Sequence, residues 1–382
     1  MDDKLMPSIE ADAGPSNARE DSLNEDQERL QASSSDDLDS DSDCETSLLA
    51  RLTLTRRSTR LYNIPHIEEN GRGYCDTSYY MPNDEPELTR LNIMHQIYLI
   101  LQGGHLTLAP LSMPSPRILD IGTGPGDWAI EMSAEYPNAK IIASDIGVFD
   151  SGLAHVSLPN VEFQLVNASS PWTYDEPFDL IHIRGLSGAF KDWSAIYKEA
   201  FAHLKPGGYI QIADADPAAD IISYTDIKTD SYLHVYAQNL LSAANEAGYP
   251  RDQNHLETDT LAEAGFVDIK VTERTVPIGL WPNDIHEKTL GKMALIALLE
   301  GLEAHALRPL TSCGWSAEKV QELCENVKME VLGVDQLTAS LLIVMGRKPA
   351  PPMSKRDELM ARAMQRARRF HLENEGVGRA EE

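Results

Sequence analysis

Arg117-Ile118-Leu119-Asp120-Ile121-Gly122-Thr123-Gly124-Pro125-Gly126-Asp127-Trp128 places an apolar strand, a glycine-rich turn and a helix start in immediate succession. Glycines let the backbone take positive φ and let a ligand approach where a Cβ would intrude. A ligand at such a turn sits at the carboxyl end of the strand, against the N-terminus of the following helix. The GxGxG turn alone fits several nucleotide-like ligands. A dinucleotide pyrophosphate favours GxGxxG, and here position 127, where the third glycine would fall, is Asp.

Two acids narrow the ligand. Asp120 stands two residues before the first glycine, under the loop, where it can hold the loop by hydrogen bonds and meet a cationic amino group, directly or through water. A pyrophosphate would be repelled there. Asp145 ends the next apolar run, 19 residues beyond Gly126, where a carboxylate can accept both ribose hydroxyls. An adenosyl ligand with a cationic amino-acid end satisfies both positions, and S-adenosylmethionine is such a ligand. The competing reading gives both acids loop-capping roles.

Outward from this motif, short apolar runs alternate with helical stretches. Strands are expected at 118–121, 141–144, 161–166, 180–183 and 209–213, with helices at 127–135 and 193–204. This order predicts an α/β fold, a mostly parallel sheet with helices on both faces. Further on, a helix at 233–247, a strand at 267–275, helices near 289–307 and 317–331, and a strand at 341–345 are expected. Upstream, Leu88, Leu91, Met94, Ile97 and Leu101 recur at helical spacing over 87–102, before Gly103-Gly104, and predict an amphipathic helix.

The chain ends differ from this core. Residues 1–50 hold fifteen acidic against three basic side chains, too polar to offset the entropy of ordering. The expected organisation is an acidic disordered tail at 1–55, an N-terminal helical lid segment at 56–115, the core domain at 116–350 and a charged C-terminal tail at 351–382. A basic stretch with Arg51, Arg56, Arg57 and Arg60 reads as charge balance for the tail or a nuclear-import patch. The net charge of −27 over 382 residues disfavours direct nucleic-acid binding, which relies on Lys and Arg against phosphates. The four cysteines lack metal or redox spacing and no metal is expected. No apolar run reaches the roughly 20 residues that span a bilayer, and the first residues lack a secretory signal. An intracellular location, cytoplasmic or nuclear, is expected.

The chain resembles the fungal class I methyltransferases similar to LaeA over roughly residues 60–349. Besides the glycine turn, the likeness rests on Glu69-Asn70-Gly71-Arg72, Met81-Pro82-Asn83-Asp84-Glu85, and Arg90-Leu91-Asn92 with His95. It continues through Phe178-Asp179-Leu180-Ile181-His182-Ile183-Arg184, Leu204-Lys205-Pro206-Gly207-Gly208, Pro277-Ile278-Gly279 and Gly346-Arg347-Lys348-Pro349. The resemblance implies a Rossmann-like, seven-stranded sheet with S-adenosylmethionine across the loops after the first three strands. It assigns Asp120, Gly122, Gly124 and Gly126 to the methionine and loop contacts and Asp145 to the ribose. Relatives carry paired acids after the third strand, where this chain has Val166 and Asn167. The Asn167 amide oxygen can still accept from the adenine amino group. The segment 336–345, aromatic-rich in relatives, is polar and aliphatic here, which sets this chain's acceptor pocket apart.

Two functions follow from the resemblance. One is methyl transfer to a small-molecule acceptor in fungal secondary metabolism. The other is nuclear regulation of such metabolism through protein partners such as velvet-type regulators. Proton removal from an acceptor would fall to residues over the carboxyl ends of the fourth and fifth strands: His182, Asp214 and Asp216. His182 alternates with Ile181 and Ile183 and reads equally as a core histidine. Asp214 and Asp216 read equally as loop or capping acids before Pro217. Arg184 is expected to pair with a loop carboxylate rather than anchor an acidic acceptor. Tyr79 and Tyr80 are read as a lid or as packing, and Trp172 as an edge of the adenine pocket or as core.

Overall fold

The computed structural model describes residues 67–149, 158–215, 228, 230–251, 253–334 and 336–351. The acidic segment 1–55, the basic stretch 51–60, Asp216 and all but the first residue of 351–382 lie outside the described residues.

The described chain opens with a hairpin the sequence reading did not anticipate. Strands β1 (Ile67–Glu69) and β2 (Arg72–Tyr74) are joined by Asn70 and Gly71 at φ 52° and 77°, the paired positive φ values of a tight hairpin turn that Asn-Gly favours. Arg72 grips Asp84 with a two-pronged ion pair at 2.6 and 2.8 Å. Asp84 in turn caps helix α1 (Glu85–Leu101) by accepting from Glu87 N, so one carboxylate fixes both hairpin and helix. Gly103 and Gly104, both at positive φ, end the helix.

The glycine motif then forms β3 (Arg117–Ile121) and α2 (Asp127–Glu135). There follow β4 (Lys140–Asp145), β5 (Val161–Leu165), β6 (Phe178–Arg184), α3 (Trp193–His203) and β7 (Leu204–Asp214). The C-terminal third adds α4 (Tyr232–Ala247), a short α5 (Thr258–Glu263), β8 (Val267–Pro277), α6 (Ile285–Ser312), α7 (Ala317–Val331) and β9 (Thr338–Arg347).

Seven strands form one sheet in the order β5-β4-β3-β6-β7-β9-β8. All neighbours are parallel except β9, which runs antiparallel to both β7 and β8. Its two faces follow from alternation along the strands. Ile118 faces Trp128 and Met132 of α2. Its neighbours Leu119 and Ile121 face Ile196, Tyr197 and Ala200 of α3. Each such fully buried aliphatic side chain contributes roughly 1.5–3 kcal/mol. A third apolar cluster joins α4, α6 and α7 to the β8–β9 edge. There Gly291 of α6 lies so close to β8 that an added Cβ would fall 2.3 Å from Gly279 O, and its own carbonyl accepts Gly279 N at 3.0 Å.

The chain lays β4 and β5 to one side of β3 and then places β6 on the other. That reversal leaves a crevice at the carboxyl ends of β3 and β6.

Candidate functional site

A cavity of about 290 Å³ opens at that crevice. One end is the glycine turn. Gly122 N and Thr123 N donate to Ser144 O at 2.9 and 3.0 Å, which docks the turn onto β4. Gly124 N donates to Asp145 Oδ2 at 2.8 Å, and Gly147 N donates to Asp145 Oδ1 at 2.9 Å. Asp145, rather than Asp120, is therefore the carboxylate that holds the loop. Ile146 N also acts on this carboxylate, whose oxygens retain acceptor capacity for a further partner. Burial pushes its carboxyl above the usual carboxylate range, opposed by those backbone donors.

The three glycines differ in what they face. At Gly124, φ 57°, an added Cβ would meet nothing closer than 3.7 Å, so its face is open to a ligand. At Gly122 and Gly126 the space is filled by the protein's own Leu186 and Phe163, 2.6 and 2.8 Å from an added Cβ. Gly122 still lines the cavity, whereas Gly126 is not among the lining residues. Thr123 contributes a feature the sequence did not single out: its Oγ1 is buried without a hydrogen-bond partner, on the cavity wall.

Asp120 is 3% exposed and lies beneath the turn, outside the cavity lining. Its Oδ1 sits 2.7 Å from His182 Nδ1, while its Oδ2 is buried with no partner. His182, 1% exposed, stacks on the Trp128 indole with ring centroids 3.8 Å apart. Burial holds the imidazole below its usual range, with Asp120 opposing. The core alternative for His182 is thus the placement found: its alternation on β6 turns it toward α2, not toward the cavity.

Asn167 lines the cavity after β5, and its Oδ1 accepts Ser169 N at 2.8 Å. Val166 lines it as well. Trp172 donates to Ala168 O at 2.9 Å and packs on Tyr174 and His203. It borders a neighbouring cleft rather than the main cavity.

The other end of the cavity is assembled from distant segments. Ile97 of α1, Tyr236 and Leu240 of α4, Ile278 after β8, Ala294 of α6 and Leu341 of β9 make an apolar wall. Tyr79 and Tyr80 cover it. Arg308 of α6 fixes this cover by donating to Asp76 O and Tyr79 O, both at 2.7 Å, and Tyr80 OH donates to Ser187 O at 3.0 Å. The inner face of α1 departs from simple amphipathicity. Glu87 and His95 are buried on it, and Glu87 clasps Arg90 at 2.6 and 2.8 Å. A cavity with polar work to do, rather than a core, explains those residues on that face. His305 of α6 also lines it, with Nδ1 buried and unpartnered. Burial and the charges of Arg251, Arg90 and Arg72 hold its imidazole well below the usual range.

Between the two ends stand Arg184 and Asp214. Asp214 is 2% exposed and lines the cavity. Its Oδ1 accepts Ala215 N at 3.0 Å, and its Oδ2 lies 3.4 Å from His255 Nε2, outside hydrogen-bond geometry. Among the described residues Arg184 does not pair with a loop carboxylate. One of its nitrogens lies 3.0 Å from His95 Nδ1, and its guanidinium covers the Tyr98 ring at 4.8 Å. No cluster of His, Cys, Asp or Glu suited to a metal occurs among the described residues, and none of their helices is long and apolar enough to cross a membrane.

A family model for a methyltransferase domain matches residues 94–267. The chain is 37% identical over 274 residues to the "Secondary metabolism regulator LAE1" of Cochliobolus heterostrophus, covering 69% of this chain and 88% of that one. It is 31% identical over 317 residues to "Methyltransferase pytC" of Aspergillus terreus, covering 82% and 93%. Among solved structures, the cyclopropane synthase MmaA2 of Mycobacterium tuberculosis is similar with a TM-score of 0.41 and 16% identity, covering 66% of this chain and 83% of that one.

Proposed function

The chain belongs to the LaeA-like family of S-adenosylmethionine-dependent methyltransferases, and from that premise we propose that it methylates a small, largely apolar acceptor in fungal secondary metabolism. The observation that carries this reading is the continuity of the cavity, which joins the strand-end turn around Gly124 and Asp145 to the apolar wall around Ile278 and Leu341. Donor and acceptor can meet inside it.

S-adenosylmethionine, when bound, supplies an electrophilic methyl group on a sulfonium. The residues present suit it. Gly124 leaves its face open, and the buried Thr123 hydroxyl lacks a partner. Asp145 would take the ribose diol on the acceptor sites its backbone donors leave free. Asn167 would receive the adenine amino group on Oδ1, beside Ser169 N. Asp120, beneath the turn and held by His182, would reach the ammonium through a water.

Displacement at a methyl group depends on alignment and on exclusion of water. The Tyr79–Tyr80 cover and the apolar wall serve both. Where the acceptor loses a proton, Asp214 is the candidate that lines the cavity, with its Oδ2 facing His255 Nε2 at 3.4 Å. His182 has no such access.

A second reading starts from the relatives named as secondary metabolism regulators: we propose as the alternative that the protein regulates such metabolism, acting in the nucleus with velvet-type partners, with methyl transfer secondary. Calorimetric titration with S-adenosylmethionine tests the first reading, and no heat of binding at millimolar ligand would sink it. Complementing a deletion strain with Asp145→Ala separates the two. Restored metabolite output despite lost cofactor binding would favour the regulator.

A further inference from the structure

We propose that Arg184, oriented by His95, binds the carboxylate of the cofactor's amino-acid end. The inference rests on the ribose lying at Asp145.

The sheet order fixes the direction in which the cofactor extends. Asn167, Asp145, Gly122 to Gly124 and Arg184 line the cavity from four strands in spatial sequence, β5, β4, β3 and β6. With adenine over β5 and ribose at β4, the rest of the molecule runs across the glycine turn toward β6. From β4 to β6 is two strand spacings, about 10 Å, a span that the extended chain from ribose to α-carboxylate covers. Residue 184 follows Ile183, the register partner of Ile121, so Arg184 stands beside Gly122 where that chain arrives.

The surroundings of Arg184 leave it ready for an anion. A desolvated guanidinium is normally matched by a carboxylate. Among the described residues Arg184 has no ion pair within 4 Å, only the His95 ring nitrogen and the face of Tyr98. Burial presses its pKa downward, offset by the fields of Asp120, Asp127 and Glu131. Those acids act from a distance. One of them, Asp127, stands on the cavity wall at the glycine turn, while Asp120 lies beneath that turn, outside the lining. One cation and one acid on the wall of a single space match an α-amino acid zwitterion, which presents both charges on one carbon.

His95 explains why the guanidinium stays aimed. Arg184 donates to His95 Nδ1, so the imidazole carries its proton on Nε2, which faces Glu131 Oε1 at 3.2 Å. Burial and the Arg184 charge keep His95 below its usual range, in the neutral form that can accept. His95 is a positioning residue: in this assignment it acts on the cofactor through Arg184.

Calorimetry with three ligands tests this without knowledge of the acceptor. They are S-adenosylhomocysteine, its decarboxylated thioether analogue, and 5′-methylthioadenosine, which lacks the whole amino-acid end. Arg184→Gln should weaken S-adenosylhomocysteine at least tenfold and leave the other two within twofold of wild type. Should Arg184→Gln misfold, Arg184→Lys, which keeps the charge and loses the fork, should show the same selective loss in smaller measure. His95→Ala should weaken S-adenosylhomocysteine alone, and His95→Gln, whose amide oxygen can accept from Arg184, should recover it. Equal weakening of all three ligands, or of none, overturns the assignment. Wild-type protein that binds none of the three overturns the methyl-transfer reading itself, which is a different result.

Discussion

Where the cavity meets β3, β4 and β5 its wall is organised by backbone hydrogen bonds, and where it meets α1, α6 and β8 by side chains from separate elements. At the first end, amides and carbonyls of residues 122–126 and 144–147 are tied to one another and to a single carboxylate, Asp145. At the second, residues from α1, α4, α6, β8 and β9 converge with no shared local motif. A backbone-built wall fixes one ligand shape. A side-chain wall can be rebuilt by substitution while the donor end stays as it is.

The contrast predicts that single changes at the two ends have separable effects, the largest at Asp145. Asp145→Ala removes both loop contacts and the diol's acceptor. At about 1.5–3 kcal/mol for a hydrogen bond to a charged group, the loss should be about 3 kcal/mol, or roughly a hundredfold in the Kd of S-adenosylhomocysteine. An affinity within twofold of wild type would remove Asp145 from the ribose site. At the far end, Gly291→Ala forces a Cβ against Gly279 O and should cost about 1–3 kcal/mol by overpacking. The readout is a lower Tm in differential scanning calorimetry with the Kd of S-adenosylhomocysteine unchanged. A Kd that rises as Tm falls would mean the two ends are mechanically one.

The same contrast explains what could be read from the amino-acid sequence. β3, the turn and α2 are contiguous, so glycine spacing and strand alternation located them, and α2 and α7 were expected with the boundaries observed. The ribose expectation for Asp145 needed only its offset from Gly126. Its hold on Gly124 N was out of reach, because whether Asp120 or Asp145 ties the loop depends on how β3 and β4 pair. His182 was ambiguous for the same reason: alternation tells which face a side chain takes, not whether that face holds a cavity or Trp128. The acceptor end was illegible. Glu87, Arg90, His95 and His305 belong together only after α1 and α6 pack, and a periodicity argument placed the polar side of α1 outside. The hairpin β1–β2 is the one local feature that was there to be read, in Asn70-Gly71.

A smaller effect distinguishes the ends by pH. His305 is held well below its usual range by burial and by Arg251, Arg90 and Arg72, with the Tyr80 ring at 6.1 Å and Glu87 paired to Arg90. The unfolded chain protonates this histidine near pH 6.5 while the folded chain does not. Below that pH the unfolded state binds more protons, so stability falls as pH falls, by up to about 1.4 kcal/mol per unit. His305→Gln should flatten the decline in Tm between pH 6.5 and 5. An unchanged slope would show that other groups carry it.

The smallest expected effect lies at the adenine loop, where the backbone-built end gives way to a single exposed side chain. Asn167 Oδ1 already accepts Ser169 N, so one change probes loop shape and ligand contact together, and two variants are needed to part them. Asn167→Ala loses both and should weaken S-adenosylhomocysteine by about fivefold, near the 1 kcal/mol of one neutral hydrogen bond. Asn167→Asp keeps an acceptor for Ser169 N and adds charge toward the adenine amino group, so its Kd should equal wild type or fall slightly. A loss above tenfold in both variants would mean that the amide nitrogen, and not the oxygen, meets the base. Adenine would then be read through an acceptor on its ring edge, and this loop would rank with Asp145 in holding the cofactor.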